Sequence, residues 1–188
     1  PSPRASSPAS SPSWSRRLVA AGSVPAIDIN GTILHDSDAI VELLEDLFPE
    51  PAMRCADPFE RAFLKSVTRF HDTRLEPVLR SLFPLVGNPE KKHRAALVVD
   101  AMNGHLERLD RLINPQPYLG GEALSLADCA YATTLFMMED LTSCMNLEVK
   151  CSEKIHHWRN ALHHTDTVRE IVDQNRSAIA KWITSKLS

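Results

Sequence analysis

The sequence lacks any apolar stretch near the roughly 20 residues that a membrane-spanning helix requires. Its longest apolar run, residues 130–138, contains two threonines and is followed at once by Glu139 and Asp140. It also lacks a cluster of Lys and Arg, because its 21 basic and 24 acidic residues are interspersed and give a net charge of −3. Phosphate backbones and anionic lipids bind to concentrated basic surface. We therefore expect neither a membrane span nor a nucleic-acid partner.

Cysteine is scarce, and no two of the four cysteines have the short spacing of a zinc site or a redox pair. They are Cys55, Cys129, Cys144 and Cys151. In a chain of this length such cysteines are typical of reduced thiols rather than of a disulfide framework. We expect Cys129 to be inert inside a buried helix and Cys55 to be the most reactive thiol, although no neighbour in the sequence is expected to lower its pKa.

Two pairs of adjacent histidines do not change the expectation that there is no metal site. His156-His157 and His163-His164 place equivalent members seven residues apart, about two helical turns. That separation is too large for one ion. We therefore expect His157 and His164 to lie on the outer surface near Trp158 and not to bind a metal ion.

Acidic residues are absent from the first 24 residues, which contain eight Ser, four Pro and three Arg. This bias resembles the end of an organelle transit peptide. A low-complexity linker, or a misjudged start of the gene, is the alternative, because such a segment buries too little apolar surface to fold alone. We expect residues 1–22 to be a leader or extension. A plastid or mitochondrion is the expected compartment if the segment is a transit remnant; otherwise we expect the cytoplasm.

After Ser23 the composition changes, and a short β-hairpin is predicted. Residues 24–29 indicate a strand, Asn30-Gly31 is a strong two-residue turn signal, and residues 32–35 form the returning strand. Asp36 and Ser37 then offer helix-capping oxygens in front of an apolar pattern with helical spacing, which ends at Pro49 and Pro51. The sequence thus predicts a hairpin that leads into one amphipathic helix.

Helices fill the rest of the chain. Apolar residues recur at three- and four-residue intervals over residues 58–82, with a bend expected near Pro77, and again over residues 89–113. The short loop between these two runs predicts an antiparallel pair. Shorter helices are predicted over residues 152–163, 165–172 and 178–187.

Between them, Ser125 and Asp128 have the spacing of a capping box. Each side chain can then bond to the amide of the other residue, which satisfies two donors at a helix start. The helix that follows, residues 126–145, is apolar nearly all round and is therefore predicted to be the central helix of a bundle.

Two separated stretches carry a resemblance to the glutathione transferase superfamily. One is Val-Pro followed by a hairpin, Asp-Ser, a helix and Phe-Pro-Glu-Pro, over residues 24–51. The other is Tyr-Leu-Gly-Gly-Glu-x-Leu-Ser-Leu-Ala-Asp-Cys-Ala, over residues 118–130. The resemblance covers roughly residues 23–188, and its details are most similar to the dehydroascorbate reductase and omega-like branch.

The resemblance implies a mainly α fold: an all-helical carboxy-terminal bundle, residues 52–188, preceded by a truncated thioredoxin-like piece, residues 23–51. It implies that a cis-Pro25 lets the backbone of Val24 pair with glutathione, and that Asp36 and Ser37 bind the γ-glutamyl group. A helix amino terminus does favour such an anion. Alternatively, Asp36 and Ser37 only cap their helix and Pro25 is cis for the turn alone.

The resemblance also implies a cleft for a hydrophobic co-substrate, lined by Phe70, Arg74 and Met137. These residues are more often core or surface than pocket, and methionine fills core gaps in any case. No metal is implied, and glutathione is the possible cofactor.

One departure from the family is large. Its thioredoxin-like domain begins with a strand, a helix bearing the catalytic Cys, Ser or Tyr, and a second strand, which the residues before Val24 are too few to hold. Ser13 and Ser15 have no predicted neighbour that would activate them. We therefore expect no catalytic residue in this chain.

Three functions remain open at this point. A binding or assembly subunit is the first, because removing two strands exposes a sheet edge and an apolar face that a protein partner or a second copy would cover. A glutathione-dependent transferase or dehydroascorbate-reductase-like enzyme whose catalytic start is missing from this chain is the second. A non-catalytic carrier of an apolar ligand is the third.

Overall fold

The computed structural model describes residues 24–188. The chain divides into two compact units, one that ends at Ala52 and a helical unit that runs from Met53 to Ser188. The prediction of a leader at residues 1–22 lies outside the described residues. The mainly α architecture, with a hairpin and one helix before a helical bundle, is confirmed.

The first unit begins with the predicted hairpin. Strand β1 (Ala26–Ile29) pairs antiparallel with β2 (Thr32–His35), and Ala26 faces His35 at the open end. Asn30 and Gly31 both have positive φ, 53° and 84°, as a two-residue turn of this kind requires. The amide of Gly31 donates to Oδ1 of Asp28 at 2.8 Å. Helix α1 (Ser37–Leu47) follows directly.

The second unit contains six more α-helices within the described residues: α2 (Pro58–Phe70), α3 (Glu76–Arg80), α4 (Lys92–Leu112), α5 (Leu126–Ser143), α6 (Glu153–His164) and α7 (Asp166–Leu187). Short 3-10 turns lie at Phe83–Leu85 and Pro89–Lys91. No helix within residues 24–188 has both the length and the apolar character of a membrane span.

The predicted irregularity in the first long helix lies one turn before Pro77. Residues His71–Leu75 form a π-helical turn between α2 and α3, in which the amide of Glu76 donates to the carbonyl oxygen of His71. Pro77 has no amide to offer the carbonyl oxygen of Thr73, so regular α-helical bonding must fail close to it. The wider π turn accommodates that missing bond within one continuous helical segment.

Helix α5 is the central helix, as predicted, and packs against α2, α6 and α7. The capping box is formed, with the amide of Ser125 donating to Oδ2 of Asp128 at 2.9 Å. Asp128 is fully buried and accepts three further bonds: from the hydroxyl of Ser125 at 2.7 Å, from the amide of Leu119 at 3.0 Å and from the indole N–H of Trp158 at 2.8 Å. One carboxylate thus ties three segments of the helical unit together.

Aromatic residues fill the space around this carboxylate. Trp158 and Tyr131 are almost completely buried, and their ring centroids lie 5.1 Å apart. The hydroxyl of Tyr131 donates to the carbonyl oxygen of Val67 on α2 at 2.8 Å. Burial raises the pKa of this hydroxyl far above its usual range, so it remains a donor at every physiological pH.

The prediction of two short helices after residue 164 is wrong, because α7 is one continuous helix of 22 residues. No helix is predicted from the sequence over the polar stretch of residues 173–177. It is instead a polar part of the helix whose Arg176 donates two bonds to the carboxylate of Asp140 on α5, at 2.7 and 3.0 Å. That pair holds the middle of α7 against the central helix.

The carboxy-terminal end of α7 packs against the loop between α3 and α4. The rings of Phe83 and Trp182 lie 5.0 Å apart. Gly87, at φ +74°, approaches so closely that a Cβ atom there would lie 2.2 Å from the carbonyl oxygen of Lys186. Only glycine fits at this point without displacing the end of the helix.

We predict that Asp128→Asn lowers the free energy of unfolding by about 4 kcal/mol, because the new amide turns N–H groups toward donors that then stay buried and unpaired. Urea denaturation followed by circular dichroism measures the change. The control is Asp100→Asn, a change of the same kind at an exposed position on α4. If both variants unfold at the same urea concentration as the parent protein, the Asp128 network does not stabilise the fold.

Candidate functional site

The amino end of α1 is the best-defined candidate site in the first unit. Asp36 precedes the helix, and its carboxylate accepts from the amide of Asp38 at 3.0 Å. Ser37 is the first helical residue. Both are exposed, so the capping carboxylate and the partial positive charge of the helix terminus face solvent. An anionic group can therefore reach this end of the helix.

The backbone of Asp36 is strained. Its φ of 80° and ψ of 119° lie outside the regions that residues with a side chain normally adopt. Such conformations cost about 1–3 kcal/mol and cluster where ligands are held. Sequence reasoning found Asp36 as a cap but missed this conformation. The only signal was weak: Asp is one of the few residues enriched at positive φ.

Val24 and Pro25, the other two predicted glutathione residues, lie at the same end of the hairpin as Asp36. Because Ala26 pairs with His35, the residue before β1 and the residue after β2 are brought side by side. The Val24–Pro25 peptide bond is cis, and Val24 is 70% exposed. The structure thus gathers all four residues at one exposed edge of the first unit. That they bind glutathione stays a prediction.

The predicted cleft residues are distributed over two helices of the helical unit. Phe70, the last residue of α2, packs edge-on against His105 of α4 with ring centroids 6.1 Å apart. Arg74 lies on the adjoining π turn and is exposed, and it acts electrostatically on the same imidazole. Met137 lies on α5 and packs against the core. The described contacts therefore associate two of the three with α4, and the cleft itself stays a prediction.

A buried polar group that sequence reasoning missed is His71. Its Nε2 lies 2.8 Å from the hydroxyl of Thr134 on α5, and its Nδ1 lies 2.9 Å from Oδ1 of Asp72. Its ring contacts that of Tyr131, with centroids 4.9 Å apart. His71 and Thr134 are both buried, while the Asp72 side chain is 34% exposed. This Thr–His–Asp chain links the π turn to the central helix.

Three of the cysteines, Cys55, Cys144 and Cys151, lack the lowered pKa of an activated nucleophile. The pKa of Cys55 is raised, first because its thiol donates to Oε2 of Glu60 at 3.0 Å. The pKa values of Cys144 and Cys151 are raised mainly by burial. The expectation that Cys129 lies buried was wrong: it is exposed, on a part of α5 that the apolar pattern assigned to the interior.

The histidine pairs have separate partners. His163 approaches Oδ1 of Asp173 at 3.1 Å and packs on Phe136, while Nδ1 of His164 lies 2.6 Å from the carbonyl oxygen of Asn160. His157 and His164 are exposed. In the described part of the chain, no three side chains of His, Cys, Asp or Glu gather as metal ligands.

Two family models match the sequence. Residues 3–52 match the glutathione S-transferase N-terminal domain, and residues 92–161 match the glutathione S-transferase C-terminal domain. The first match includes Val24, Pro25, Asp36 and Ser37. It also extends over most of the segment that was interpreted as a leader, so the predicted boundary at residue 22 stays a prediction.

Individual relatives agree with these matches. Glutathione S-transferase U7 of Arabidopsis thaliana is 23% identical over 152 residues, which are 79% of this chain and 65% of that protein. Glutathione S-transferase DHAR2 of the same plant is 25% identical over 128 residues, 68% of this chain and 54% of that protein. The chain thus spans less than two thirds of the length of these relatives.

A solved structure shares the fold. The theta class glutathione S-transferase of Xanthomonas axonopodis pv. citri, determined with glutathione bound, superimposes with a TM-score of 0.70 and 24% identity over 86% of this chain and 77% of that one. The two family models together match more than half of the sequence, in the order in which the fold requires them. The chain belongs to the glutathione transferase superfamily.

Proposed function

We propose that the protein binds glutathione at the amino end of α1 and acts as a binding or assembly subunit, without supplying a nucleophile from residues 24–188. The observation that carries the glutathione site is the strained backbone of Asp36 at an exposed helix terminus. Strain of this kind persists where the surrounding structure holds a ligand-binding conformation. The family match over the same residues, and the glutathione bound to the Xanthomonas structure, support this ligand.

The chemistry of the site suits the γ-glutamyl end of glutathione. That end carries an α-carboxylate and an α-ammonium group. The carboxylate suits the partial positive charge at the start of α1, next to the hydroxyl of Ser37. The ammonium group suits the exposed carboxylate of Asp36, with which it forms a charge-assisted hydrogen bond. Both contacts come from adjacent residues, so they fix the orientation of the ligand.

The assembly role is supported by apolar surface on the first unit. Leu47 and Phe48, at the end of α1, are 52% and 66% exposed. Within the described residues the two strands of the hairpin pair only with each other. Exposed apolar side chains and unpaired strand edges are each commonly covered by association. A second copy of the chain, or a protein partner with an apolar face, would cover them.

The second candidate is a glutathione-dependent enzyme, a transferase or a dehydroascorbate-reductase-like protein. The observation that favours it is the N-terminal domain match, which begins at residue 3 and not at the hairpin. The similarity to the plant protein DHAR2 is in keeping with it. A carrier role has no comparable observation in its favour.

The compartment is a proposal from composition alone. The Ser- and Arg-rich, acid-free residues 1–22 suggest a plastid or a mitochondrion. A fluorescent reporter fused to the complete chain tests this, and cytoplasmic fluorescence that is unchanged when residues 1–22 are removed would contradict it.

We predict that Asp36→Asn weakens glutathione binding about ten-fold while α1 stays folded. Asn caps a helix as well as Asp does and also tolerates positive φ, so the substitution removes only the charge that pairs with the ligand's ammonium group. Losing one charge-assisted hydrogen bond corresponds to about 1.4 kcal/mol, or ten-fold in affinity. Isothermal titration calorimetry of the purified chain with glutathione measures the change.

The control for this titration is Glu90→Gln, which removes an exposed carboxylate from the helical unit. It should bind glutathione as tightly as the parent protein does. Equal affinity in Asp36→Asn and the parent would show that Asp36 is only a helix cap. Turnover of dehydroascorbate or of an electrophile with glutathione by the parent chain would favour the enzyme instead of the assembly role.

We predict that Phe48→Ser reduces self-association or partner capture, because it removes the most exposed of the apolar side chains at the end of α1. Light scattering coupled to size exclusion should give the parent chain a molar mass above its monomeric 21.0 kDa. The variant should move toward the monomer. Ile171→Ser, at a residue 59% exposed on α7, is the matched control. A monomeric parent chain would contradict association through a second copy.

A further inference from the structure

A group of cationic side chains lies where α4 meets the π turn of the first long helical segment. His105 is half-buried on α4, and Arg108 follows it by one turn, with its Nη1 3.4 Å from Nδ1 of the imidazole. Arg74 follows Phe70 by about one turn, and the edge of Phe70 packs on His105. We call Arg74, His105 and Arg108 the cationic cluster.

Within residues 24–188, no carboxylate is paired with the two arginines of the cluster, Arg74 and Arg108. Several arginines of the helical unit do have acidic partners, among them Arg176 with Asp140, Arg159 with Glu139 and Arg80 with Glu76. Two guanidinium groups beside an imidazole therefore leave a local excess of positive charge.

Together with burial, the local excess of positive charge contributes to the lowered pKa of His105. Burial lowers the pKa of His105, and the nearby guanidinium groups of Arg108 and Arg74 lower it further. Within the described part of the chain, the charged groups that lower the pKa of His105 are Arg108, on the same helix, and Arg74, on the segment packed against it. Because Arg108 donates to Nδ1, the imidazole of this arrangement is neutral, with its proton on Nε2.

We propose that Arg74, His105 and Arg108 form a binding site for a small oxyanion, either a carboxylate or a phosphate, on the surface of the helical unit. The site uses residues of the helical unit, none of which is among the residues proposed to bind glutathione. A bound anion would supply the negative charge that the protein does not place beside these three side chains. Both guanidinium groups are exposed, so an ion can reach them from solvent.

The donor arrangement fits one shared acceptor. The nitrogens of Arg108 and His105 are 3.4 Å apart, and an oxygen about 2.9 Å from each can accept a hydrogen bond from both once His105 is protonated. A second oxygen of the same ion is then available to Arg74. Carboxylates and phosphates present two or more acceptor oxygens with the planar or tetrahedral spacing that guanidinium groups match.

Binding and protonation must be coupled in this site. The protonated imidazole attracts the anion and the neutral one does not, so the anion raises the pKa of His105 from its lowered value. By reciprocity, the affinity for the anion rises as the pH falls through that pKa. An anion held only by distant surface charge would show neither effect at constant ionic strength.

Side-chain NMR of the full chain tests the proposal. The protein has eight histidines, and His105→Gln identifies the resonance of His105 by its loss. Sodium phosphate and sodium acetate are titrated separately at a fixed ionic strength set with sodium chloride, at ~pH 5 and ~pH 8. We expect a saturable shift of the His105 resonance with at least one of the two anions, and at least about ten-fold tighter binding at the lower pH.

The variants make the outcome specific. Arg108→Gln and Arg74→Gln should each weaken binding about ten-fold, the loss of one charge-assisted hydrogen bond. Arg94→Gln, three helical turns before His105 on α4, should leave the affinity unchanged. Stronger binding of phosphate than acetate would assign a phosphate ligand, and the reverse a carboxylate. Asp36→Asn should not change either titration, which separates this site from the glutathione site.

Two results would overturn the proposal. One is an equal response of His105 to phosphate, acetate and chloride at matched ionic strength, which would mean charge screening only. The other is a His105 shift that depends on protein concentration and not on added anion, which would mean that an acidic surface of another copy occupies the cluster. A lost response in Arg94→Gln as well as in Arg108→Gln would also count against a defined site.

Discussion

The helical unit depends on one buried carboxylate. Asp128 is inaccessible to solvent yet accepts four hydrogen bonds, from two backbone amides, a hydroxyl and an indole. A buried charge is tolerated only when its oxygens are satisfied in this way. Because its donors come from the loop before α5, the start of α5 and the middle of α6, the carboxylate fixes where three segments meet. Removing any one segment would leave the charge unsatisfied, so the network makes their packing cooperative.

Much of this could be predicted because its signals are local. Asn30-Gly31 specifies the hairpin turn, and Ser125 and Asp128 specify a helix start through atoms only three residues apart. The indole of Trp158 could not be found in the same way, since it is 30 residues from its acceptor. The continuity of α7 was missed for a related reason: the partner of Arg176 is on another helix, so no helix was predicted over its polar neighbourhood.

The residues of the candidate site could be predicted from the sequence, but their placement and backbone conformation could not. A Val-Pro before a strand and an Asp-Ser before a helix can be found by inspection, but pairing of Ala26 with His35 is what places them at one edge. The strain at Asp36 depends on how a strand must turn into a helix in the space available. That geometry is a property of the folded unit, and only its weak correlate, the tolerance of Asp for positive φ, is present in the sequence.

Among the described residues, some charged side chains of the helical unit pair with each other, and others have no acidic partner. Arg176 and Asp140 neutralise each other between two helices, and the pKa of Arg176 is raised chiefly by that hydrogen bond, so their charges already act within the fold. Arg74 and Arg108 stand beside an imidazole whose pKa is lowered first by burial and then by these two guanidinium groups. Exposed guanidinium groups with no carboxylate partner are hydrated in the free protein, and an anion that replaces this water forms charge-assisted hydrogen bonds with them. For that reason the unpaired cations of α4 and the π turn, and not the better-ordered pairs of α5 and α7, are where an external anion is expected to bind.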